Sequence, residues 1–261
     1  MYDYEQIEVE RRGRLLVLTL NNPPMNTMSR TLHREMASVF YEVQGDPGCD
    51  VAIVTGSGHT FSAGGDIPLM QSRIDDPELM TPKNAEMKRI ISSLLELEKP
   101  LICRMNGDAV GFGATLALFC DITVAVDTAR IGDPHVKMGY VTGDGSALIW
   151  PQLVGYARAK EYLLTGDLLD AKRAVEIGLI NYAVPADRLD EKVDYFANKL
   201  VNGAARAIRW SKTCINIPLR QAAPAIIDAA IAYQTITNVS HDHQEAVNAF
   251  REKRRPKFKG S

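Results

Sequence analysis

The strongest constraint on the fold of this chain is a change of pattern near residue 145. Before it, apolar runs typical of β-strands alternate with segments whose apolar residues recur every three or four positions, as in an α-helix. Beyond it, the helical spacing predominates. Strands alternating with helices, followed by helices alone, predict an α/β fold with a layered core and a helical second part.

The elements expected from these patterns are mostly short. Apolar runs predict strands at residues 7–10, 15–20, 51–55, 101–105 and 122–126. Helical spacing predicts a helix that begins after the cap residue Ser29. Further helices are expected at residues 83–97, 112–119, 157–164, 170–177, 188–201 and 225–238. Three strand–turn–helix units in the first half share one plan, which makes a spiral of such units possible.

Composition narrows the class of protein. Thirty Lys and Arg residues against 32 Asp and Glu residues give a formal net charge of −2, which argues against a general nucleic-acid binder. The N-terminus lacks the basic start and apolar run of a signal peptide, and no apolar run approaches the roughly 18 residues of a membrane helix. The four cysteines show no CxxC spacing. We therefore expect a cytoplasmic protein without disulfides and without a membrane partner.

The first glycine-rich motif, FSAGGDI at residues 61–67, follows a strand and a turn. Its two glycines allow backbone N–H groups to approach a ligand closely, because no side chain intervenes. A helix is expected to begin near Asp66, so its dipole would add positive potential there. The alternative interpretation is a tight turn capped by the aspartate.

The second motif, NGDAVGFGAT at residues 106–115, also leads from a strand through glycines into an apolar helix. The first N–H groups of a helix have no partner within it, and they can receive an oxyanion. The alternative interpretation is that Gly111 and Gly113 only permit close packing of the helix.

Together the two motifs resemble those of the crotonase superfamily, also called the enoyl-CoA hydratase/isomerase family. The resemblance covers nearly the whole chain, from NPPMN at residues 22–26 to FREKR at residues 250–254. It implies a crotonase-like spiral of β-β-α units at residues 1–200, with a helical C-terminal oligomerisation region at residues 201–261. It also implies a homotrimer or a homohexamer.

The resemblance assigns roles to particular residues. The backbone N–H groups of Gly65 and Phe112 would hold the acyl oxygen of a CoA thioester. Coenzyme A is then part of the substrate, and no separate cofactor is implied. Positions that would contact CoA are Met25, Ala63, Gly64, Asp66, Ile67, Phe250 and Lys253, the last two expected to come from a neighbouring subunit.

At two positions the chain departs from the family's hydratases, which use a pair of glutamates. The positions of those glutamates hold Thr115 and His135. His135 and Asp144, nine residues apart, resemble instead the pair of the superfamily's β-diketone hydrolases. A neutral imidazole can activate water, and a carboxylate can orient the ring and stabilise its charged form. The CoA-type motif nevertheless favours a CoA thioester handled by His135 and Asp144, in a hydration, an isomerisation or a hydrolysis.

Several alternatives remain open at this stage. One is a β-diketone hydrolase that needs no CoA, although the glutamate of that branch is matched here by Gln234, which cannot act as a base. Others are an RNA-binding homologue using Lys83 and its neighbours, or a catalytically silent one. Tyr140 is a minor candidate for a proton donor. A metal site is not expected. His241 and His243 are two residues apart and would point different ways on a helix, and no other cluster of ligand residues supports a site.

Overall fold

The computed structural model describes residues 2–261. These residues contain nine strands and ten α-helices. The strands are Ile7–Arg12 (β1), Leu15–Leu20 (β2), Val51–Gly56 (β3), Leu101–Met105 (β4), Ala109–Val110 (β5), Ile122–Val126 (β6), Arg130–Gly132 (β7), Leu169–Asp170 (β8) and Tyr182–Val184 (β9). The helices are Arg30–Gly45 (α1), Ile67–Asp75 (α2), Met80–Glu96 (α3), Phe112–Leu118 (α4), Ser146–Thr165 (α5), Ala171–Glu176 (α6), Leu189–Val201 (α7), Ala205–Ile215 (α8), Ile217–Asn238 (α9) and His241–Arg251 (α10).

The larger sheet carries the strands that the sequence predicts in the first half. Its order is β1-β2-β3-β4-β6-β9, with β1 antiparallel to β2 and every other neighbour parallel. All six residues of β3 are buried, as expected for a parallel strand covered on both faces. The prediction of an α/β fold with a layered core is confirmed.

A second, smaller sheet was not visible in the sequence. It has the order β5-β7-β8, and two isolated bridges, Met28 to Gly65 and Ser62 to Ala109, continue its pairing. Strands of two or three residues are too short to show an alternating pattern, which explains the omission. This sheet matters for function because its pairings hold both glycine-rich motifs.

The second half is richer in structure than the sequence indicated. Helix α5 begins at Ser146, well before the expected residue 157, and bends at Gly155. Helices α8 and α10 were not anticipated, and β8 and β9 lie beyond the point at which strand signals fade. Strand β9 completes the larger sheet by pairing with β6.

The C-terminal helices pack on the same core as the sheets. Ile227 and Ile231 of α9 belong to the hydrophobic cluster that also contains the strands. Lys212 of α8 is buried, and it donates to the carbonyl oxygen of Lys99 at 2.9 Å and to Asp121 Oδ2 at 2.7 Å. Within residues 2–261, no helix has the length and apolar character needed to span a bilayer.

Candidate active site

The two glycine-rich motifs are in direct contact. The amide of Ser62 donates to the carbonyl oxygen of Asp108 at 3.1 Å, and that of Val110 donates to the carbonyl oxygen of Ser62 at 2.9 Å. Gly64 has a φ of +78°, and a Cβ atom on it would collide with the carbonyl oxygen of Val110 and lie 3.4 Å from Cα of Gly111. Glycine at position 64 is therefore required by both conformation and contact.

This contact brings the two predicted amides to one cavity. Gly65 and Phe112 both line a cavity of about 50 Å³. Within residues 2–261, neither amide N–H has a hydrogen-bond partner. Phe112 is the first residue of α4, and Asp66 caps α2 by accepting from the amide of Leu69 at 2.8 Å. Gly65 and Phe112 therefore offer two backbone donors, unpaired within that range, beside one cavity.

His135 lies in the same cavity, between two carboxylates. Its Nδ1 atom contacts Oδ1 of Asp133, and its Nε2 atom lies 3.4 Å from Oδ2 of Asp144. The sequence analysis paired His135 with Asp144 and gave Asp133 no role. Both carboxylates are buried, with 1% and 2% of their surface exposed.

The charges around His135 decide its protonation state. Burial opposes the charged imidazole, but Asp133 and Asp144 more than offset this and raise the pKa of His135 to about 9. Burial also raises the pKa of Asp144, although the charge of His135 opposes that change. The expectation of a neutral imidazole at neutral pH was wrong, because it counted one neighbouring carboxylate where there are two.

Thr115 and Ser146 hold Asp144 from the other side. The Thr115 hydroxyl donates to Oδ1 of Asp144 at 3.3 Å, and Thr115 Oγ1 lies 2.9 Å from Ser146 Oγ. Oδ2 of Asp144 has no hydrogen-bond partner within residues 2–261. Where the family's hydratases have a glutamate, this chain thus has a hydroxyl that orients a different carboxylate.

Tyr140 stacks between two histidine rings. Its ring centroid lies 5.9 Å from that of His135 and 4.5 Å from that of His243. Burial raises the pKa of Tyr140, so its phenol stays protonated at neutral pH. His243 is fully buried and contacts the carbonyl oxygen of Met138 through Nδ1 at 2.7 Å, which gives it a structural role.

Two basic side chains, Arg73 and Lys83, also line the cavity. Lys83 is 6% exposed and donates to Oε1 of Gln234, whose Nε2 donates to the carbonyl oxygen of Val141 at 3.0 Å. The sequence analysis considered Lys83 only as part of a basic helix for RNA, whereas the structure buries it. Lysine and arginine on an amphipathic helix are usually exposed, so no sequence signal distinguishes these two.

His33 is a further cavity residue to which the sequence gave no partner. It is 3% exposed, and its Nδ1 lies 2.6 Å from Oε2 of Glu86. Burial lowers its pKa, so the ring is neutral and its Nδ1–H donates to Glu86. Nε2, which has no partner within residues 2–261, is then an acceptor.

Most of the residues expected to contact CoA lie together on either side of Gly65 in the chain or in contact with that segment. The amide of Ala63 donates to the carbonyl oxygen of Met25 at 2.9 Å, and Met25 is 45% exposed. Gly64 follows Ala63, Asp66 caps α2, and Ile67 begins it. These contacts place the expected CoA positions beside Gly65, and their binding role stays a prediction.

Phe250 and Lys253 lie at the end of α10, whose Arg251 donates to Oε1 of Gln71 in α2 at 3.2 Å. Phe250 is 61% exposed near the end of α10, and Lys253 follows the helix with a φ of +54°. Their suggested contact with CoA across a subunit boundary stays a prediction.

Asp133, His135 and Asp144 also form a cluster of metal-ligand types, with one ligand atom from each lying within 4.8 Å of the others. The expectation that the chain holds no such cluster was therefore wrong. Each ring nitrogen of His135 faces a carboxylate, and the raised pKa keeps the ring protonated at neutral pH. A protonated imidazole has no lone pair for a metal, so the arrangement favours an ion-paired triad.

The fold has two sheets, and two glycine-rich turns meet beside one cavity that also contains His135 and Asp144. This arrangement matches the crotonase fold. A family model described as Enoyl-CoA hydratase/isomerase matches residues 10–261. A crystal structure of an enoyl-CoA hydratase/isomerase from Mycobacterium paratuberculosis superposes with a TM-score of 0.91 at 33% identity, over 95% of this chain and 99% of that one.

Curated relatives agree with this. A crotonyl-CoA hydratase of Syntrophomonas wolfei is 33% identical, and the alignment covers 98% of each chain. A probable enoyl-CoA hydratase of Mycobacterium tuberculosis is 32% identical, again over 98% of each chain. The chain belongs to the enoyl-CoA hydratase/isomerase family and is an enzyme of the crotonase superfamily.

Proposed function

We propose that this protein catalyses proton transfer at carbon in an acyl-CoA thioester, through an enolate held by the amides of Gly65 and Phe112. The observation that carries this proposal is the meeting of two free amide donors and His135 in one cavity. An enolate oxygen gains charge in the transition state, and donors already in place stabilise that charge without reorganising. Losing one such donor typically costs about 100-fold to 1,000-fold in rate.

His135 and Asp144 divide the proton chemistry between them. The Asp144 carboxylate, whose Oδ2 faces Nε2 of His135 at 3.4 Å and accepts no hydrogen bond from residues 2–261, takes a proton from the carbon next to the thioester and leaves the enolate. The imidazolium of His135 returns a proton from Nε2 to the carbon at the other end of the conjugated system. An acid and a base with raised pKa values are suited to these steps near neutral pH. Together they replace the two glutamates of the hydratases.

The direct test is deuterium exchange. In D₂O, a 3-enoyl-CoA of four to six carbons should gain deuterium next to the thioester, as measured by mass spectrometry. His135→Gln and Asp144→Asn should each slow the exchange by about 100-fold or more. Both variants should still bind a saturated acyl-CoA in calorimetry. Binding without any exchange would refute the acid–base roles, and no binding of any acyl-CoA would refute the CoA substrate.

A second candidate is hydrolysis of a carbon–carbon bond in a β-diketone, favoured by the 3.4 Å approach of His135 to Asp144. Water would add to one carbonyl carbon, the bond to the central carbon would break, and the resulting enolate would take up a proton. Cleavage of cyclohexane-1,3-dione without CoA, lost in His135→Ala and Asp144→Asn, would establish it. Absence of cleavage beside active exchange on acyl-CoA would exclude it.

A further inference from the structure

We propose that the acyl group of the substrate ends in a carboxylate, which Arg73 and Lys83 bind inside the cavity. This inference deepens the proposed function and rests on it. The cavity is lined by both cations together with Gly65, Phe112 and His135, so an acyl group bound at the two amides shares one small space with the cations.

The two cations have unused hydrogen-bond donors. Within residues 2–261, the guanidinium of Arg73 donates to no protein group and forms no ion pair, and Arg73 contributes only its carbonyl oxygen, to Asn238 Nδ2. Lys83 has one hydrogen-bond partner, the neutral amide oxygen of Gln234. A buried cation without a counter-ion is costly, and a carboxylate supplies both the charge and the acceptors.

The charges that surround this pair do not neutralise it. The carboxylates that act on Arg73 through space belong to Glu86 and Asp66, and the phenol of Tyr140 faces it as well. Glu86 is already engaged with His33, and Asp66 with the first turn of α2. Asp144, the one carboxylate that acts on Lys83, is paired with His135.

Arg73 and Lys83 also repel each other. Burial first, and then the charge of Arg73, lower the pKa of Lys83 to about 7. An anion placed between them would relieve this repulsion and keep Lys83 protonated. Gln234 fixes the direction of the ammonium group, because it is itself fixed by the carbonyl oxygen of Val141.

The position of Arg73 indicates a short acyl group. Asp66 caps α2 directly after Gly65, and Arg73 lies six residues beyond the first helical residue, Ile67, which spans about 9 Å at the helical rise of about 1.5 Å per residue. Helical side chains point back toward the N-terminus, so the guanidinium reaches toward Gly65. Together with the small cavity, this favours chains of about four to six carbons.

The experiment compares two saturated five-carbon thioesters, pentanoyl-CoA and glutaryl-CoA. Only glutaryl-CoA carries a terminal carboxylate. Calorimetry at pH 7 should show glutaryl-CoA binding about tenfold to 100-fold more tightly. In Arg73→Gln the preference should fall to below about threefold while pentanoyl-CoA and free CoA bind as before. Arg73→Lys should keep part of it, and the exposed-site control Arg34→Gln should keep all of it.

The outcomes separate the two proposals. Equal binding of both esters to the wild-type protein would overturn the carboxylate site and leave the acyl-CoA proposal intact. Failure of both esters to bind would overturn the acyl-CoA proposal. Weaker binding of free CoA to Arg73→Gln would assign Arg73 to a CoA phosphate and contradict the inference. A variant with a normal melting temperature that keeps the full preference would also contradict it.

Discussion

At the scale of single residues, the central feature is one imidazole shared by two buried carboxylates. Asp133 holds Nδ1 of His135, and this leaves the Nε2 side for Asp144 and the cavity. The pair of carboxylates turns a group that is ordinarily neutral near pH 7 into an acid that titrates near pH 9. Asp133 is in this sense a positioning residue that also sets the working pH.

Replacing Asp133 by asparagine should move the pH dependence of the enzyme. His135 acts in its protonated form, so wild-type activity should fall as the pH rises past about 9. Without the charge of Asp133, burial counts for more and the pKa of His135 drops. The alkaline limb of the kcat profile should then move down by about one pH unit or more.

The matched control is Asp167→Asn, which removes an exposed carboxylate paired with Lys137 on the segment that follows His135. Its profile should coincide with that of the wild-type enzyme. An unchanged alkaline limb in Asp133→Asn would contradict the role given to Asp133.

Tyr140 provides a second test at the same scale. The sequence made it a minor candidate for a proton donor, whereas the structure places its ring between those of His135 and His243. Tyr140→Phe keeps the rings stacked and removes only the hydroxyl. We expect kcat to change by less than about threefold, since one neutral hydrogen bond contributes little. A 100-fold lower kcat would instead indicate that Tyr140 acts as a proton donor.

At the scale of elements, the site depends on the crossing of two turns between strands and helices. The smaller sheet and its bridges fix residues 62–65 against residues 109–111. Each turn delivers one free amide, and neither amide can be moved without moving a helix. The proposed oxyanion site thus rests on strand pairing between the two turns.

Gly64→Ala should break this crossing, because its Cβ would collide with the carbonyl oxygen of Val110. Gly13→Ala is the matched control, since Gly13 has a φ of +63° but an open surrounding. In the control, the free energy of unfolding should fall only by the cost of a positive φ, about 1 kcal/mol, which corresponds to about 2–4 °C in melting temperature. The melting temperature of Gly64→Ala should fall clearly further, and this variant should also lose deuterium exchange. Equal melting temperatures in the two variants would contradict the contact described here.

At the scale of the whole molecule, the C-terminal helices leave many large apolar side chains exposed. Ile215, Tyr233, Ile236 and Val239 are each more than half exposed. Scattered apolar residues are normal, but contiguous patches on a folded surface mark contacts between proteins. We propose that residues 201–261 form the interface of a trimer or a hexamer.

Sedimentation should then give about 86 kDa or about 173 kDa, three or six times the chain mass of 28.8 kDa. Ile236→Lys should lower that mass, because a charge would be buried in the interface. Leu164→Lys, at an exposed position near the end of α5, should leave the mass of the assembly unchanged. A wild-type mass near 29 kDa would contradict the assembly.

Much of this architecture could be predicted from the sequence, for identifiable reasons. Long apolar strands such as β3 and capped helices such as α1 carry periodic signals over six or more residues. The glycine motifs indicated backbone donors next to helix starts, and the resemblance to the crotonase superfamily assigned that role to Gly65 and Phe112. Asp133, Arg73 and Lys83 could not be found in this way, since their roles arise from contacts between distant elements and from burial of charge.

The hydroxyl of Thr115 has a consequence for the history of such sites. It lies in a buried triangle with Asp144 and Ser146, at the position where hydratases of the family hold a glutamate. A glutamate installed there first would add a second buried carboxylate beside Asp144, whose charge His135 already balances, and would destabilise the intermediate form. A lineage passing between the two chemistries must therefore alter position 144 before or together with position 115. The order of mutations is constrained, and ancestral sequences should rarely combine both carboxylates.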